Sequence, residues 1–232
     1  MMAVLSTSHN DSNAYKKFVK NQYKIPEKYE NTVNDILSDK GGLKAYRFLK
    51  VMGLKMIKMD PKSSKFKECH AIINFIHVRH YKIVDTIKRG TTTRELDFML
   101  ENKFLDKPKK NRLSYDYISL STSKYGSRRF SEYTSDSKSY HSVMMEFDKK
   151  YVDKYVFLPE YNIAKKRDKN IHDTPGLDHA QETEVRLPLG IIKHADLKIH
   201  ISITPQTKLT PKEKKDLQNR YKSLGTMKIN DI

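Results

Sequence analysis

The stretch Tyr81-Lys-Ile-Val-Asp-Thr-Ile-Lys-Arg-Gly90 decides how the chain is read. Before it the apolar residues recur every three or four positions, the rhythm of an amphipathic helix. Tyr15, Phe18, Val19 and Tyr23 keep that spacing, residues 31–42 end in two glycines suited to stop a helix, and 43–59 and 67–82 continue the pattern. Within Tyr81–Gly90 the β-branched Ile83, Val84, Thr86 and Ile87 appear together, and the period shortens to that of a strand. The expected layout is α+β: a flexible tail over 1–13, a helical part over 14–80 and a strand-rich part over 81–232.

Five further strands are expected downstream: Tyr117–Ser123, Ser142–Asp148, Lys154–Tyr161, Thr183–Gly190 and Leu197–Pro205. In the last, Leu197, Ile199, Ile201 and Ile203 alternate strictly. A long polar loop, 162–182, separates the fourth strand of the chain from the fifth, and loops of that length are usually functional. Thr210 and Pro211 open a C-terminal helix as N-cap and first residue.

The 232 residues hold 45 Lys+Arg against 28 Asp+Glu, a formal net charge of +17, with 37% hydrophobic and 31% charged residues. Such a field attracts polyanions, nucleic acid among them. The single cysteine, Cys69, excludes an internal disulfide, fits a reducing compartment, and reads as a small core residue. The N-terminus has no basic region leading into a long apolar one, and no apolar run nears the ~18 residues of a membrane helix. A cytoplasmic protein is expected, whether in its producer or in a target cell. Neither a Gly-rich phosphate loop nor a Cys/His zinc spacing occurs; His70, His77 and His80 share a helix without a carboxylate or Cys partner, and no metal is expected.

Three pieces of possible chemistry follow in order, each at a strand end. Arg89-Gly90 pairs a side chain that can fork two hydrogen bonds to phosphate with a residue that lets a ligand approach the backbone. Ser121-Thr122-Ser123 offers three hydroxyls, which can orient a catalytic side chain or cap the helix that follows. Glu182-Thr183-Glu184 opens the strand Val185-Arg186-Leu187-Pro188; in an extended chain both carboxylates would share one face and could divide the work of acid–base chemistry. Each piece alone is commonplace: a strand exit, a cap, a solvated edge.

Together, the order Arg, Ser-Thr-Ser, Glu-x-Glu with Glu-Val-x-Leu-Pro resembles the mono-ADP-ribosyltransferases of the Arg-Ser-Glu class, which include arginine-modifying bacterial toxins and phage enzymes. The resemblance covers roughly 81–205. It implies a split, mostly antiparallel two-sheet core with NAD in the cleft, capped by the helical part. Arg89 would contact an NAD phosphate or the nicotinamide ribose, and Gly90 the nicotinamide amide. Ser121 would orient Glu184, with Thr122 and Ser123 shaping the strand end. Glu184 would bond the ribose 2′-hydroxyl and stabilise an oxocarbenium-like transition state, and Glu182 would handle the nucleophile. Assigning Glu184, not Glu182, as the main carboxylate keeps the nucleophile position filled, since Ala180 would otherwise occupy it. Phe130 or Tyr125 would pack on nicotinamide, and Arg128 and Arg129 lie near enough for the pyrophosphate. Two departures stand out. Lys88 occupies a position often aromatic or apolar, and no Tyr, Phe or Trp closely precedes Glu182, so that His179, His172 or Leu177 would meet the substrate.

Glu-x-Glu is the pattern of the arginine-modifying members, whereas +17 and the basic, tyrosine-bearing stretches 103–115, 125–133 and 212–222 favour phosphates. The acceptor expected first is nucleic acid, RNA ahead of DNA, the base unpaired or flipped out; a protein arginine is the alternative. Plain NAD hydrolysis and a non-enzymatic RNA-binding protein are further alternatives. An enzyme of this kind would harm its own cell, so an antitoxin, immunity or chaperone partner is expected.

Overall fold

The computed structural model describes residues 25–106, 117–133, 140–161 and 176–230, with side chains in the second of these segments to Arg128. Tail 1–13, helical stretch 13–23, and residues 162–175 and His172 within them, lie outside the described residues, as do the side chains of Arg129 and Phe130.

Three helices come first: α1 (Glu30–Ser38), α2 (Leu43–Met56) and α3 (Ser64–Ile83). Ser63 caps α3 by accepting the Phe66 N–H at 3.1 Å. Phe66, Cys69, Ile72, Ile73 and Ile76 of α3 pack against Val33, Ile36, Leu49 and Met56 in one apolar cluster. Cys69 is thus a core residue. The helix does not stop at residue 80. It carries Tyr81 and Ile83, read above as strand, because Tyr81 is buried in the next cluster and its hydroxyl donates to Asp153. The boundary between helical and strand-rich parts falls after Ile83.

Six strands follow: β1 (Thr86–Thr92), β2 (Tyr117–Ser121), β3 (Ser142–Asp148), β4 (Glu184–Pro188), β5 (Ile199–Thr204) and β6 (Thr226–Ile229). They interleave with α4 (Thr93–Asn102), α5 (Lys124–Tyr133), α6 (Lys149–Val152) and α7 (Pro211–Tyr221). The class is α+β. The strands form one mixed sheet, β4-β2-β1-β3-β5-β6, with β5–β6 the parallel pair, where the resemblance implied two sheets. The junction between β1 and β2 is nevertheless a seam: they pair only at Lys88 and Ser121, whereas β1 pairs with β3 at seven positions and β2 with β4 at five.

Lys154–Tyr161 is not a strand. It begins within a 3-10 turn, Asp153–Tyr155, and holds a lone bridge in which Phe157 exchanges both backbone bonds with Arg186, at 3.0 and 2.9 Å. Pro159, having no N–H, cannot extend that ladder. The bridge covers part of the edge of β4.

Alternation sorts the sheet into two faces. Ile87, Ile118, Leu120, Met145, Val185, Leu187, Ile201 and Ile203 point into the main core, beneath Leu96 and Met99 of α4 and Tyr221 of α7. Each such side chain contributes about 1.5–3 kcal/mol by burial. On the opposite face one register row crosses every strand: Glu184, Ser121, Lys88, Glu146, His200, Thr226. α5 lies over this polar face, close enough that a Cβ on Gly126 would sit 2.6 Å from Ser121 Oγ and 2.7 Å from the Glu182 carbonyl oxygen.

Candidate active site around Glu184

Glu184 begins β4, 6% exposed, at the polar end of the β2–β4 pair. Its Oε1 accepts from Ser119 Oγ at 2.6 Å and from Arg186 Nε at 3.0 Å; its Oε2 accepts from Arg186 Nη2 at 3.2 Å. Arg186 is 2% exposed and lies over the Tyr117 ring, 4.1 Å from its centre. The backbone of Glu184 is held too. Its N–H donates to Tyr161 Oη at 2.5 Å, and its carbonyl accepts from His77 Nε2 at 2.8 Å.

His77 is fully buried, and burial pulls its pKa down to about 4. The ring is therefore neutral at pH 7, protonated on the Nε2 that faces the carbonyl, while Nδ1 has no hydrogen-bond partner among the described residues. Burial, followed by the charge of Glu184, holds the Tyr161 hydroxyl well above the ordinary tyrosine value, and the Glu182 charge adds to this. The three histidines of α3 do not converge. His70 Nε2 meets the Tyr161 carbonyl oxygen at 2.6 Å, His77 that of Glu184, and His80 Nδ1 meets Thr122 Oγ1 at 2.7 Å.

Glu182 and Glu184 do not owe their placement to strand parity. Glu182 ends a 3-10 turn, Leu177–Glu182, and Thr183 adopts a left-handed conformation with φ 46° before β4 begins. A β-branched residue there is a true outlier, costing about 1–3 kcal/mol. The turn is clamped from both sides: a Cβ on Gly53 of α2 would stand 2.0 Å from the Leu177 carbonyl oxygen, and Gly126 of α5 abuts Glu182. Glu182 Oε1 lies 3.0 Å from His179 Nδ1, whose Nε2 lies 3.3 Å from Asp178. The His179 side chain is 38% exposed. Leu177 is buried in the helical cluster and is not available to a substrate.

The Ser-Thr-Ser segment knits elements together. Ser121 Oγ lies 3.0 Å from Thr183 Oγ1 and accepts the Ser123 N–H at 3.0 Å. It makes no hydrogen bond to Glu184; the serine that does so is Ser119, two residues earlier. Thr122 bonds His80, and its N–H donates to the Thr183 carbonyl at 3.3 Å. Ser123 caps α5 through the Tyr125 N–H at 3.2 Å and reaches the Gly42 carbonyl at 3.4 Å.

Arg89 stands on the core face, in register with Met145 and Ile201. Its guanidinium forks onto Glu95, Nε to Oε1 at 2.6 Å and Nη2 to Oε2 at 2.7 Å, and Nη1 donates to the Ser119 carbonyl at 2.7 Å. Glu95 also accepts from Thr91 Oγ1 at 2.7 Å. Arg89 therefore plugs the seam where a β1–β2 ladder would continue. Gly90 and Lys88 take the polar face. Lys88 Nζ donates to Thr86 Oγ1 at 2.7 Å and lies 3.9 Å from Glu146; burial lowers its pKa, as does the charge of Lys124. Tyr125, half-exposed on α5, tilts against Tyr46 with ring centres 6.1 Å apart, and Arg128 is exposed on the same helix.

Ser119, Arg186, Tyr161 and Glu95 do not stand out in the sequence, and His77 does so only as one of three histidines on a helix. The one available signal was the alternation that puts Ser119 and Arg186 on the faces of Ser121 and Glu184. No helix among the described residues is long and apolar enough to cross a membrane, and among the same residues no three or more His, Cys, Asp or Glu side chains cluster as metal ligands would. No protein-family model matches the chain, nor does any curated protein or solved structure.

Proposed function

We propose that the chain is a mono-ADP-ribosyltransferase, moving ADP-ribose from NAD, with release of nicotinamide, onto a macromolecular acceptor. The carrying observation is Glu184: a buried carboxylate, hydrogen-bonded at backbone and side chain, one strand from the seam of the sheet, with a second carboxylate two residues before it across a strained Thr183. Strain and buried charge of this kind concentrate at functional sites. The residue order that resembles the Arg-Ser-Glu class adds the choice of reaction.

In this reading Glu184 accepts a hydrogen bond from the 2′-hydroxyl of the nicotinamide ribose and stabilises the positive charge that grows there as the bond from C1′ to the nicotinamide nitrogen breaks. The bonding pair leaves with nicotinamide, neutralising its ring. The acceptor's nitrogen forms the new bond to C1′, and its proton passes to Glu182, with His179 placed to take it onward to solvent. Lys88 and Gly90 face the same space and would meet phosphate and amide; Arg89 serves by holding β1 to β2.

The acceptor placed first is nucleic acid, RNA ahead of DNA, on the strength of the +17 charge, with an exocyclic base amine as nucleophile. Arginine in a protein is the second reading, favoured by the carboxylate at Glu182. A partner that restrains the activity in its own cell belongs to the same proposal. The deciding experiment incubates the full chain with labelled NAD and cell lysate, beside Glu184→Gln, and divides the product with RNase, DNase and protease. Label lost to a nuclease and dependent on Glu184 supports the first reading; label lost only to protease supports the second. Intact NAD and no label would overturn both and leave a binding protein.

A further inference from the structure

The two carboxylate oxygens of Glu184 are unequal. Oε1 carries a short bond from Ser119 Oγ, 2.6 Å, and another from Arg186 Nε, 3.0 Å, whereas Oε2 carries one bond of 3.2 Å from Arg186 Nη2. A carboxylate oxygen has two lone-pair directions, so Oε1 is filled and Oε2 retains one. Arg186 is itself held: it is buried, lies over the Tyr117 ring, is paired across the strands with Ser119, and its backbone is bonded on the other side to Phe157. The planar fork of an arginine fixes the plane of the carboxylate it grips, which the point charge of a lysine does not.

We infer that Arg186 and Ser119 are the positioning residues of Glu184, anchoring Oε1 and presenting Oε2 as the oxygen that accepts the substrate hydroxyl. This rests on the ADP-ribosyltransferase reading and deepens it: the serine of the Ser-Thr-Ser segment, Ser121, holds Thr183, and the work of orienting the carboxylate passes to a serine on the same face two residues earlier and to an arginine two residues later. Arg186 is thereby distinguished from a surface cation of this basic chain. It faces no solvent, and its contact with Glu184 lies within the sheet.

The test is steady-state NAD turnover by the full chain and by Ser119→Ala, Arg186→Lys and Arg186→Ala, with Glu184→Gln as the inactive reference. Misplacement of a reacting group costs about 10²-fold in rate. The expected result is a kcat lowered about 10- to 100-fold in Ser119→Ala and Arg186→Lys, with KM for NAD within about twofold of wild type, and partial recovery of Arg186→Ala by added guanidinium ion but not by ammonium. Ser119→Ala removes one hydroxyl and keeps the ion pair, so it remains interpretable if the arginine variants fail to fold. Unchanged kcat in Ser119→Ala, or a loss confined to KM, would overturn the inference while leaving Glu184→Gln inactive and the broader reading intact. A wild-type chain that leaves NAD untouched would overturn the broader reading itself, and the role of Oε2 with it.

Discussion

Ser121 and Glu184 are cross-strand partners, yet their side chains are not hydrogen-bonded to each other: the Ser121 hydroxyl lies 3.0 Å from that of Thr183 and accepts the Ser123 N–H. Ser121 thus secures the turn that separates the two carboxylates. Replacing it by alanine leaves a buried hydroxyl and a buried N–H without this partner, at a cost of about 1–3 kcal/mol. Urea unfolding of Ser121→Ala should show that loss. A variant as stable as wild type would mean the hydroxyl is dispensable to the turn.

Gly53 should tolerate no side chain. A Cβ there would stand 2.0 Å from the Leu177 carbonyl oxygen, a backbone atom that cannot swing aside. Gly53→Ala should destabilise by at least about 2 kcal/mol, although alanine is the better helix former. It should also displace the 3-10 turn bearing Glu182. Denaturant unfolding and hydrogen exchange at the Thr183 amide would read both effects; an unchanged or stabilised variant would exclude such close packing.

The Arg89–Glu95 pair should behave as structure before it behaves as chemistry. Both groups are largely buried and joined by two short bonds. Removing one charge strands the other, and Glu95→Gln should cost about 3–5 kcal/mol in unfolding experiments. A cost under about 1 kcal/mol would show the pair to be screened by water.

His77 makes acid destabilising. Its pKa is pulled from 6.5 in the unfolded chain to about 4 in the fold, so the unfolded chain binds the extra proton. The contribution of the neutral ring is fully present above about pH 6.5 and is lost as pH falls toward 4. The loss amounts to about 3 kcal/mol at 1.4 kcal/mol per pH unit. Urea unfolding between pH 7 and pH 4 should show this slope in wild type and a shallower one in His77→Gln, which keeps a donor for the Glu184 carbonyl. Equal slopes would place the acid sensitivity elsewhere.

Much of this architecture is legible in the sequence. β2, β3, β4 and β5 announce themselves because one face of each meets an apolar core and the other does not, and α7 carries its capping box, Thr210 with Glu213, in plain order. α4 is hard to read because Thr93 opens it directly after Thr91 and Thr92 of β1, three β-branched residues that look like one strand, and because it hides a buried glutamate in its first turn. β6 is four residues long and half exposed, so its pattern is too short to read. At the site, the carboxylates and the Ser-Thr-Ser segment stood out as clusters. Their partnerships did not, because the bonds of Glu184 to Ser119 and Tyr161 depend on register and on a contact 23 residues distant. The left-handed Thr183 had no glycine or asparagine to betray it.

The single pair joining β1 to β2 also governs how the molecule yields. Parting β2 and β4 from the other four strands breaks one register pair and the Arg89 bond to Ser119, whereas cutting between β1 and β3 would break seven pairs. The ladder of the sheet is therefore weakest along this line, and packing, in the shared core below and the helix α5 above, joins its two sides where hydrogen bonds do not. Glu184 stands on one side of that line and Lys88 on the other, so the span between carboxylate and ammonium is set by side-chain packing and not by a backbone ladder.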